Sequence, residues 1–435
     1  MGSAVSSETA AKVDELQRAG KSNAEVFEEL KAAGLVGGEL LARSPDELAA
    51  EYAAGRKTEL APGEWKSADA IIDAVVAQKV DGTLDLGSMG RGADDEPPGL
   101  LRMNGIPPLS AVPEKAFSCL AVTKLVLKGN QIAAIDGVEA LAALEVLDAS
   151  ENQLRAFPAA LPASLVELNL SENGIGEVPD CVGACVKLET LILFKNQLSK
   201  VSDEIGKCVA LAEFNCFNNK LIKVPKALSE CAALNHLNVG GNKIKTLPNT
   251  DKWTEMVEIK AHQNGIIMLP SLEKMNKLET LKLDMNRALN AAPELGGADG
   301  TIKSLTLWET SNCNLTALPD SLLHAHFLVT LNCSSNKLAE LPALELPCLE
   351  ILNVSSNALK ELPVEIGLCS KLKTFFFSGN QIKEIPSEYG ALVLSIQRFN
   401  CSAQKSGGEA VVFEMTNCLQ SIKAACEKHD GRFII

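Results

Sequence analysis

The 435-residue sequence predicts an α/β solenoid of short repeated strands, with a small helical region before the repeats and a helical cap after them. Three observations predict this fold. An apolar pattern returns in register every 21 to 23 residues along most of the chain. Hydrophobic residues make up 46% of the sequence but aromatic residues only 4%, and both flanking segments carry apolar residues at helical spacing. Stacked layers of aliphatic side chains explain the first two observations together.

Residues 1–80 are rich in Ala, Glu and Leu and predict a helical N-terminal region. A segment with Ser44, Pro45 and Gly55 has the cap, first-turn proline and terminating glycine of a short helix. The chain start also matches the M-G-x-x-x-[ST] pattern, which makes Gly2 a candidate myristoylation site, although the pattern is short and common by chance. One acyl chain binds membranes weakly, so we expect weak membrane association only if Gly2 is acylated.

Residues 81–118 predict a linker and a degenerate first repeat. The segment GSMGRGADDEPPG has the Gly, Pro and charged residues of a loop, and Leu84–Gly87 matches the strand part of the repeat.

Residues 119–404 contain the repeat, which is interrupted at 287–304. The segment from Val122 to Ile132, VTKLVLKGNQI, sets the pattern: apolar residues at positions one, four, six and eleven, and Asn at position nine. The pattern occurs about twelve times, and one copy has Cys313 in place of the Asn. The asparagines of this ladder are Asn130, Asn152, Asn173, Asn196, Asn219, Asn242, Asn264, Asn286, Asn336, Asn357 and Asn380.

The chemistry of the pattern predicts the structure of each repeat. Apolar residues at every second position predict a strand whose buried side chains stack on those of its neighbours. One repeat is too small to bury its own apolar face, so stacking makes the core. The Asn lies where the chain leaves the strand, and its amide can donate to and accept from turn backbone groups. We therefore expect the ladder to be structural.

These repeats resemble the leucine-rich repeat family over residues 120–404. Most copies carry an apolar residue and a proline after the Asn, as at Pro248 and Pro319, which is similar to the intracellular Ras-group and Shoc-type class. The resemblance implies a horseshoe with a parallel β-sheet inside and short helices or turns outside. It also implies roles in signal transduction around small GTPases, kinases or phosphatases.

Residues 405–435 predict a C-terminal cap, because EAVVFEMTNCLQSIKAACEKH has the apolar spacing of an amphipathic helix. The segment Phe433–Ile435 is expected to pack in this cap. A ligand for a PDZ-like groove is the alternative.

The bulk properties favour a cytoplasmic protein-binding molecule. The net charge of −14 does not favour nucleic-acid binding, which needs a basic surface. The sequence has no run of 18 apolar residues, so it predicts no transmembrane helix. The 13 cysteines recur with the repeat and no signal peptide is evident, so we expect reduced thiols. The sequence contains no P-loop, H-E-x-x-H, G-x-S-x-G or paired CxxC motif. We therefore expect no enzyme, cofactor or metal.

The variable strand positions point away from the core and provide the candidate site. Strands about 4.8 Å apart make Phe194 and Phe217 neighbours in one column, and they would form an apolar patch with a polar rim. The predicted partner-binding residues are Ile192, Phe194, Asn215, Phe217, His236, Asn238, Lys260 and His262. A second patch is predicted at Leu307, Ile351 and Phe376. The alternative is that the two phenylalanines pack on each other or under a flanking segment and bind no partner.

The predicted function is that of a non-enzymatic scaffold or adaptor that binds a neutral or basic partner protein on the concave face. Two alternatives stay open: a regulatory subunit that controls a GTPase, kinase or phosphatase, and a structural component of a cytoskeletal or axonemal assembly.

Overall fold

The computed structural model describes residues 82–87, 109–113, 116–117, 120–295, 304–402, 404–406, 409–410, 417–429 and 431–434. Its main feature is one sheet of 15 parallel strands, each of which pairs with the next along the chain. The predicted solenoid is therefore confirmed. The strands are β1 (Thr83–Asp85), β2 (Lys124–Val126), β3 (Val146–Asp148), β4 (Glu167–Asn169), β5 (Thr190–Ile192), β6 (Glu213–Asn215), β7 (His236–Asn238), β8 (Glu258–Lys260), β9 (Thr280–Lys282), β10 (Leu307–Glu309), β11 (Thr330–Asn332), β12 (Ile351–Asn353), β13 (Thr374–Phe376), β14 (Arg398–Asn400) and β15 (Phe433–Ile434).

Each internal strand buries its central side chain and turns the two outer ones to the concave face. In β5, Leu191 is fully buried while Thr190 and Ile192 are partly exposed. Leu191 pairs with Phe214, and Phe214 pairs with Leu237, so the buried positions of successive repeats stack directly. Alternation along the strand thus produces the aliphatic core and the columns of the open face.

The outer side of the solenoid consists mostly of turns and short 3-10 helices. They include Val138–Ala140, Asp180–Ala184, Asp203–Lys207, Lys226–Glu230, Asp320–His324, Val364–Leu368 and Ser387–Leu394. A proline immediately precedes most of them, as Pro225 precedes Lys226–Glu230. Proline has its φ preset for such a turn and needs no donor partner. The segments Glu177–Val178 and Lys200–Val201 form a separate parallel pair.

The asparagine ladder joins each repeat to the one before it. Asn219 Oδ1 accepts a hydrogen bond from the backbone amide of Leu198 at 2.9 Å. Its Nδ2 donates to the carbonyl oxygens of Leu193 at 2.9 Å and Cys216 at 3.0 Å. Gln404 makes the equivalent three bonds with Ile382, Phe377 and Cys401. The side-chain amide thus provides hydrogen-bond partners for backbone groups that the turn takes out of the sheet.

The exception at Cys313 follows from the preceding repeat. Asn286 is followed by one extra residue before the apolar position, and the amide of Leu289 donates to the carbonyl of Asn286 instead. No amide is left there for a side chain at position 313 to accept. Cysteine suits this slot because its thiol can still donate, here to the carbonyls of Leu283 at 3.3 Å and Ser311 at 3.6 Å.

The interruption at 287–304 leaves the sheet continuous. β9 pairs directly with β10, with Thr280 opposite Leu307. Residues 296–303 of the interruption lie outside the described residues. The repeat that follows has an unusual core, since Trp308 and Thr310 are buried at positions that hold aliphatic, alanine, cysteine or phenylalanine side chains in the other repeats, and their Nε1 and Oγ1 atoms have no hydrogen-bond partner.

The C-terminal helix α1 (Asn417–Lys428) is shorter than the amphipathic segment suggests. Glu409–Ala410, expected to start this helix, instead pairs antiparallel with Lys405–Ser406. Leu419, Ile422 and Cys426 of α1 are buried.

The segment Phe433–Ile434 forms β15, a strand that the sequence pattern did not predict. It pairs with β14, and the Phe433 ring stacks on Phe399 with a centroid distance of 5.9 Å. These residues therefore extend the sheet and its core.

The described cysteines are free thiols. Cys216 and Cys333 occupy buried strand positions, and burial raises the pKa of both thiols to about 12. They act as small apolar residues at neutral pH. The predicted helical region at 1–80, with Gly2, and most of the 81–118 segment lie outside the described residues.

Candidate functional site

The concave face carries three columns of side chains, from the first strand residue, the third, and the second residue after the strand. Over much of the sheet the second and third columns satisfy each other. Asn169 Oδ1 accepts from both the amide and the hydroxyl of Ser171, at 3.1 and 2.7 Å. Asp148 with Ser150 and Asn332 with Ser334 repeat the arrangement. All three are short turn-stabilising pairs, and the two that begin with Asn169 and Asn332 also match the glycosylation sequon.

The third column departs from serine over five consecutive strands, β5 to β9. Its residues there are Phe194, Phe217, Gly240, His262 and Asp284. The predicted patch lies in this stretch, and the central three-residue register holds throughout, with Ile192 opposite Asn215. We call this five-strand stretch the central site.

The two phenylalanines make different contacts. Phe194 is partly exposed, and the Nζ of Lys195 lies 5.8 Å from its ring centroid while pairing with Glu172 at 3.0 Å. Phe217 instead lies against the ring of His262, two strands away, with centroids 5.5 Å apart and an angle of 34°. The phenylalanines thus occupy adjacent strands as predicted, but the ring pair is Phe217 with His262.

Gly240 allows this ring pair. It lies between Phe217 and His262 in the column, and a Cβ atom there would lie 2.5 Å from Cε1 of His262. Any side chain at 240 would push the His262 ring away. The sequence prediction omitted Gly240, although a glycine between Phe217 and His262 in the third column was a usable signal.

The predicted polar rim is partly occupied by its own contacts. The Oδ1 atoms of Asn215 and Asn238 accept hydrogen bonds from the backbone amides of Phe217 and Gly240, each at 3.2 Å. Only the Nδ2 groups of the two asparagines are therefore left as donors. His236 is exposed, with Nδ1 2.5 Å from Oδ1 of the neighbouring Asn235.

Lysines of the next strands are in ion pairs. Lys260 pairs with Glu258 at 2.7 Å, and Lys282 pairs with Glu309 at 3.0 Å. Lys260, a predicted binding residue, is therefore neutralised by a carboxylate of its own strand.

His262 and Asp284 are the site's electrostatically unsatisfied pair. Nδ1 of His262 is buried without a hydrogen-bond partner. Burial lowers the pKa of His262, partly offset by the Asp284 charge, so the ring is neutral at pH 7. Burial raises the pKa of Asp284, partly offset by His262. Asp284 forms no ion pair among the described residues; sequence reasoning did not select it, although it is the one acidic residue of its column.

The second predicted patch is divided. Thr330 lies between Leu307 and Ile351 in the first column, because β11 separates their strands. Phe376 lies on the strand next to Ile351 and is partly exposed. We predicted one patch because the apolar residues were compared without considering that Thr330 separates Leu307 from Ile351.

In the described part of the chain, no group of three or more His, Cys, Asp or Glu side chains is arranged to hold a metal ion. None of the helices in that part has the length and apolar composition that a membrane crossing requires.

No protein-family model matches the chain, and no curated protein matches it significantly. Solved structures do. A leucine-rich repeat protein of Leptospira interrogans is 24% identical, with a TM-score of 0.57, and the match covers 68% of this chain and 76% of that one. An internalin of Listeria monocytogenes is 20% identical, with a TM-score of 0.57, over 70% of this chain and 86% of that one. Together with the 15-stranded parallel sheet, these likenesses show that the chain has the leucine-rich repeat solenoid fold.

Proposed function

We propose that this chain is a non-enzymatic scaffold or adaptor that holds a partner protein on its concave face, at the central site. One observation carries the proposal. Over five consecutive strands the self-satisfied serine column is replaced by two phenylalanines, a glycine, a histidine and an aspartate. The repeat does not need these residues, since it is built without them on either side.

The composition of the central site is that of a protein-binding surface. Ile192, Phe194 and Phe217 give partly exposed apolar area, and the Nδ2 groups of Asn215 and Asn238 give donors beside it. Aromatic residues with a hydrogen-bonding rim contribute most of the energy in protein interfaces. Rigidity adds to affinity, because the ladder fixes the strands before the partner arrives and little ordering cost arises on binding.

We further propose that the chain is cytoplasmic and related to the Ras-group and Shoc-type class with roles in signal transduction. The proposal is supported by the free buried thiols of the described residues and by the prolines that precede the outer 3-10 helices, such as Pro225.

The experiment is photo-crosslinking in native extract. A photoreactive residue replaces His236, which is exposed at the edge of the central site, or Phe327, which is 55% exposed outside the concave strands. We expect defined crosslinked proteins from position 236 and none of them from position 327.

The same capture is repeated with Phe194→Asp/Phe217→Asp and with Phe327→Asp as the matched aromatic control, after circular dichroism has shown that both fold. Loss of the crosslinked partners in the double variant alone supports the proposal. Equal capture by all three proteins, or crosslinks from position 327 alone, contradicts it. If adding the pure protein to a captured partner changes the catalytic turnover of that partner, the regulatory alternative is favoured.

A further inference from the structure

The charged residues of β8 to β10 leave one carboxylate without a counter-charge. Three acidic residues, Glu258, Asp284 and Glu309, face two lysines, Lys260 and Lys282. Both lysines are already paired with glutamates, at 2.7 and 3.0 Å. Asp284 therefore lies between two complete ion pairs with no cation of its own in the described residues.

Asp284 also lies next to an aromatic surface. His262 precedes it in the column, and the His262 ring contacts Phe217 at a centroid distance of 5.5 Å. Since Gly240 has no side chain, the His262 ring lies over the backbone just after β7, where it meets the Phe217 ring. A carboxylate with aromatic rings beside it is the combination that a planar cation recognises, because the cation can pair with the carboxylate and stack on a ring.

The protonation states leave this place open for a cation. Burial lowers the pKa of His262 and raises the pKa of Asp284, so for each group the loss of solvent outweighs the nearby opposite charges. His262 Nδ1 has no partner either. An incoming cation would supply the missing charge to Asp284, and it would leave the neutral ring available for stacking.

We propose that Asp284, with the rings of His262 and Phe217, is a recognition site for a guanidinium group, presented as an arginine side chain by the partner protein. This inference rests on the proposed function and names the chemistry of its partner. The net charge of −14 favours such a partner over long range. Arginine fits better than lysine because the guanidinium is planar and binds a carboxylate through two parallel donors.

The chain itself contains a related arrangement. The Lys195 ammonium lies over the Phe194 ring and pairs with Glu172, so a carboxylate, a cation and a ring already assemble at the neighbouring aromatic position of the same column. At Asp284 the carboxylate and the rings are present and the cation is missing.

The test uses the full chain with 13C-labelled histidine and three small probes. The sequence has five histidines, so the spectrum has few signals, and a His262→Gln variant assigns the one that matters. The probes are N-acetyl-arginine amide, the lysine analogue, and the neutral isostere N-acetyl-citrulline amide. We expect a saturable shift of the His262 signal with the arginine probe and at least about tenfold weaker effects with the other two.

The decisive variant is Asp284→Asn. The matched control is Asp148→Asn on β3, where the carboxylate already accepts a hydrogen bond from the Ser150 hydroxyl. We expect Asp284→Asn to weaken the arginine probe at least about tenfold and Asp148→Asn to leave it unchanged. Because Asp284 forms no ion pair among the described residues and burial penalises its charged form, the variant should not lower the melting temperature, which is measured in parallel.

Three results would overturn the inference: equal binding of the arginine and citrulline probes, equal binding of the lysine probe, or an unchanged arginine affinity in Asp284→Asn. The probes need no macromolecular partner. Binding of the arginine probe without crosslinked proteins would therefore refute the proposed function alone. Crosslinking that depends on the phenylalanines without probe binding would refute the arginine site alone.

Discussion

Replacing Asn286 by alanine tests whether the ladder amides hold the repeats together. Asn286 has no exposed surface, and its side chain makes three hydrogen bonds. It donates to the carbonyls of Ala261 at 2.9 Å and Leu283 at 2.7 Å, and it accepts from the amide of Ile266 at 3.0 Å. Each buried bond contributes about 1 kcal/mol net, so we expect Asn286→Ala to lower the free energy of unfolding by about 3 kcal/mol.

The equivalent position of the next repeat supplies the control. The Cys313 thiol makes only weak contacts, with the carbonyls of Leu283 and Ser311, and no amide there needs an acceptor. Cys313→Ala should therefore cost less than about 1 kcal/mol. Urea unfolding followed by far-ultraviolet circular dichroism measures both variants, and the slope reports whether the whole array still unfolds together. If the two variants lost the same stability, side-chain bonding to the previous repeat would not be the reason for asparagine at this position.

Three other predictions concern the core, the titration of the site and the thiols. Phe399→Ala should lower the free energy of unfolding by about 3 to 5 kcal/mol, measured by urea unfolding, because the buried Phe399 ring supports the Phe433 ring of β15. Because burial depresses the folded-state pKa of His262, its contribution to stability is present above the unfolded value of about 6.5 and is lost as the pH falls through the folded value. The melting temperature of wild type should therefore fall further than that of His262→Gln between pH 7.5 and about 5, with the charges of Glu258, Lys260, Lys282, Asp284, Glu309 and the exposed His236 common to both; an equal fall in the two proteins would contradict the assignment. Cys216 and Cys333, whose pKa burial raises to about 12, should react with a maleimide at pH 8 only after denaturation, and rapid reaction in the native protein would show that these positions open.

The periodic part of the fold could be predicted because every repeat has the same packing and hydrogen-bonding requirements. The strand, the buried leucines and the position of the asparagine follow from one template such as Val122–Ile132. The turn conformation did not follow as easily. The residue before the ladder asparagine is left-handed, with φ of 52° at Lys195 and 61° at Met285, and only the glycines at some of these positions, such as Gly241, signalled it. A regular hydrogen-bond network imposes this conformation on residues that do not favour it.

The departures from periodicity were harder to predict because each depends on a tertiary contact. β15 forms because the Phe433 ring stacks on Phe399, and two residues carry no strand pattern of their own. The exception at Cys313 depends on the one extra residue after Asn286, which changes a backbone donor one repeat away. Such effects become visible only when the repeats are stacked.

For the central site, the sequence identified the columns but not the contacts across them. Strand spacing placed Phe194 and Phe217 side by side, yet the ring of His262 lies over Gly240 and there contacts the ring of Phe217. This contact depends on the missing side chain at position 240, so it is a property of three residues from three repeats. Asp284 was likewise passed over because its lack of a partner emerges only when Lys282 is found paired with Glu309.

These observations suggest how function can be separated from scaffold in a solenoid. Where the second and third columns are Asn and Ser, as at Asn169 and Ser171, the side chains satisfy one another and the surface offers little that a partner could improve. Where the serine is replaced, the groups are not needed by the repeat and are left incompletely satisfied, as the Nδ1 atom of His262 and the carboxylate of Asp284 are. Maintaining an unpaired carboxylate and an unpartnered ring nitrogen costs the free protein stability that a binding partner can restore. On the open face the unsatisfied groups coincide with the exposed rings on the same five strands, and this coincidence supports the proposal that the interaction site lies there.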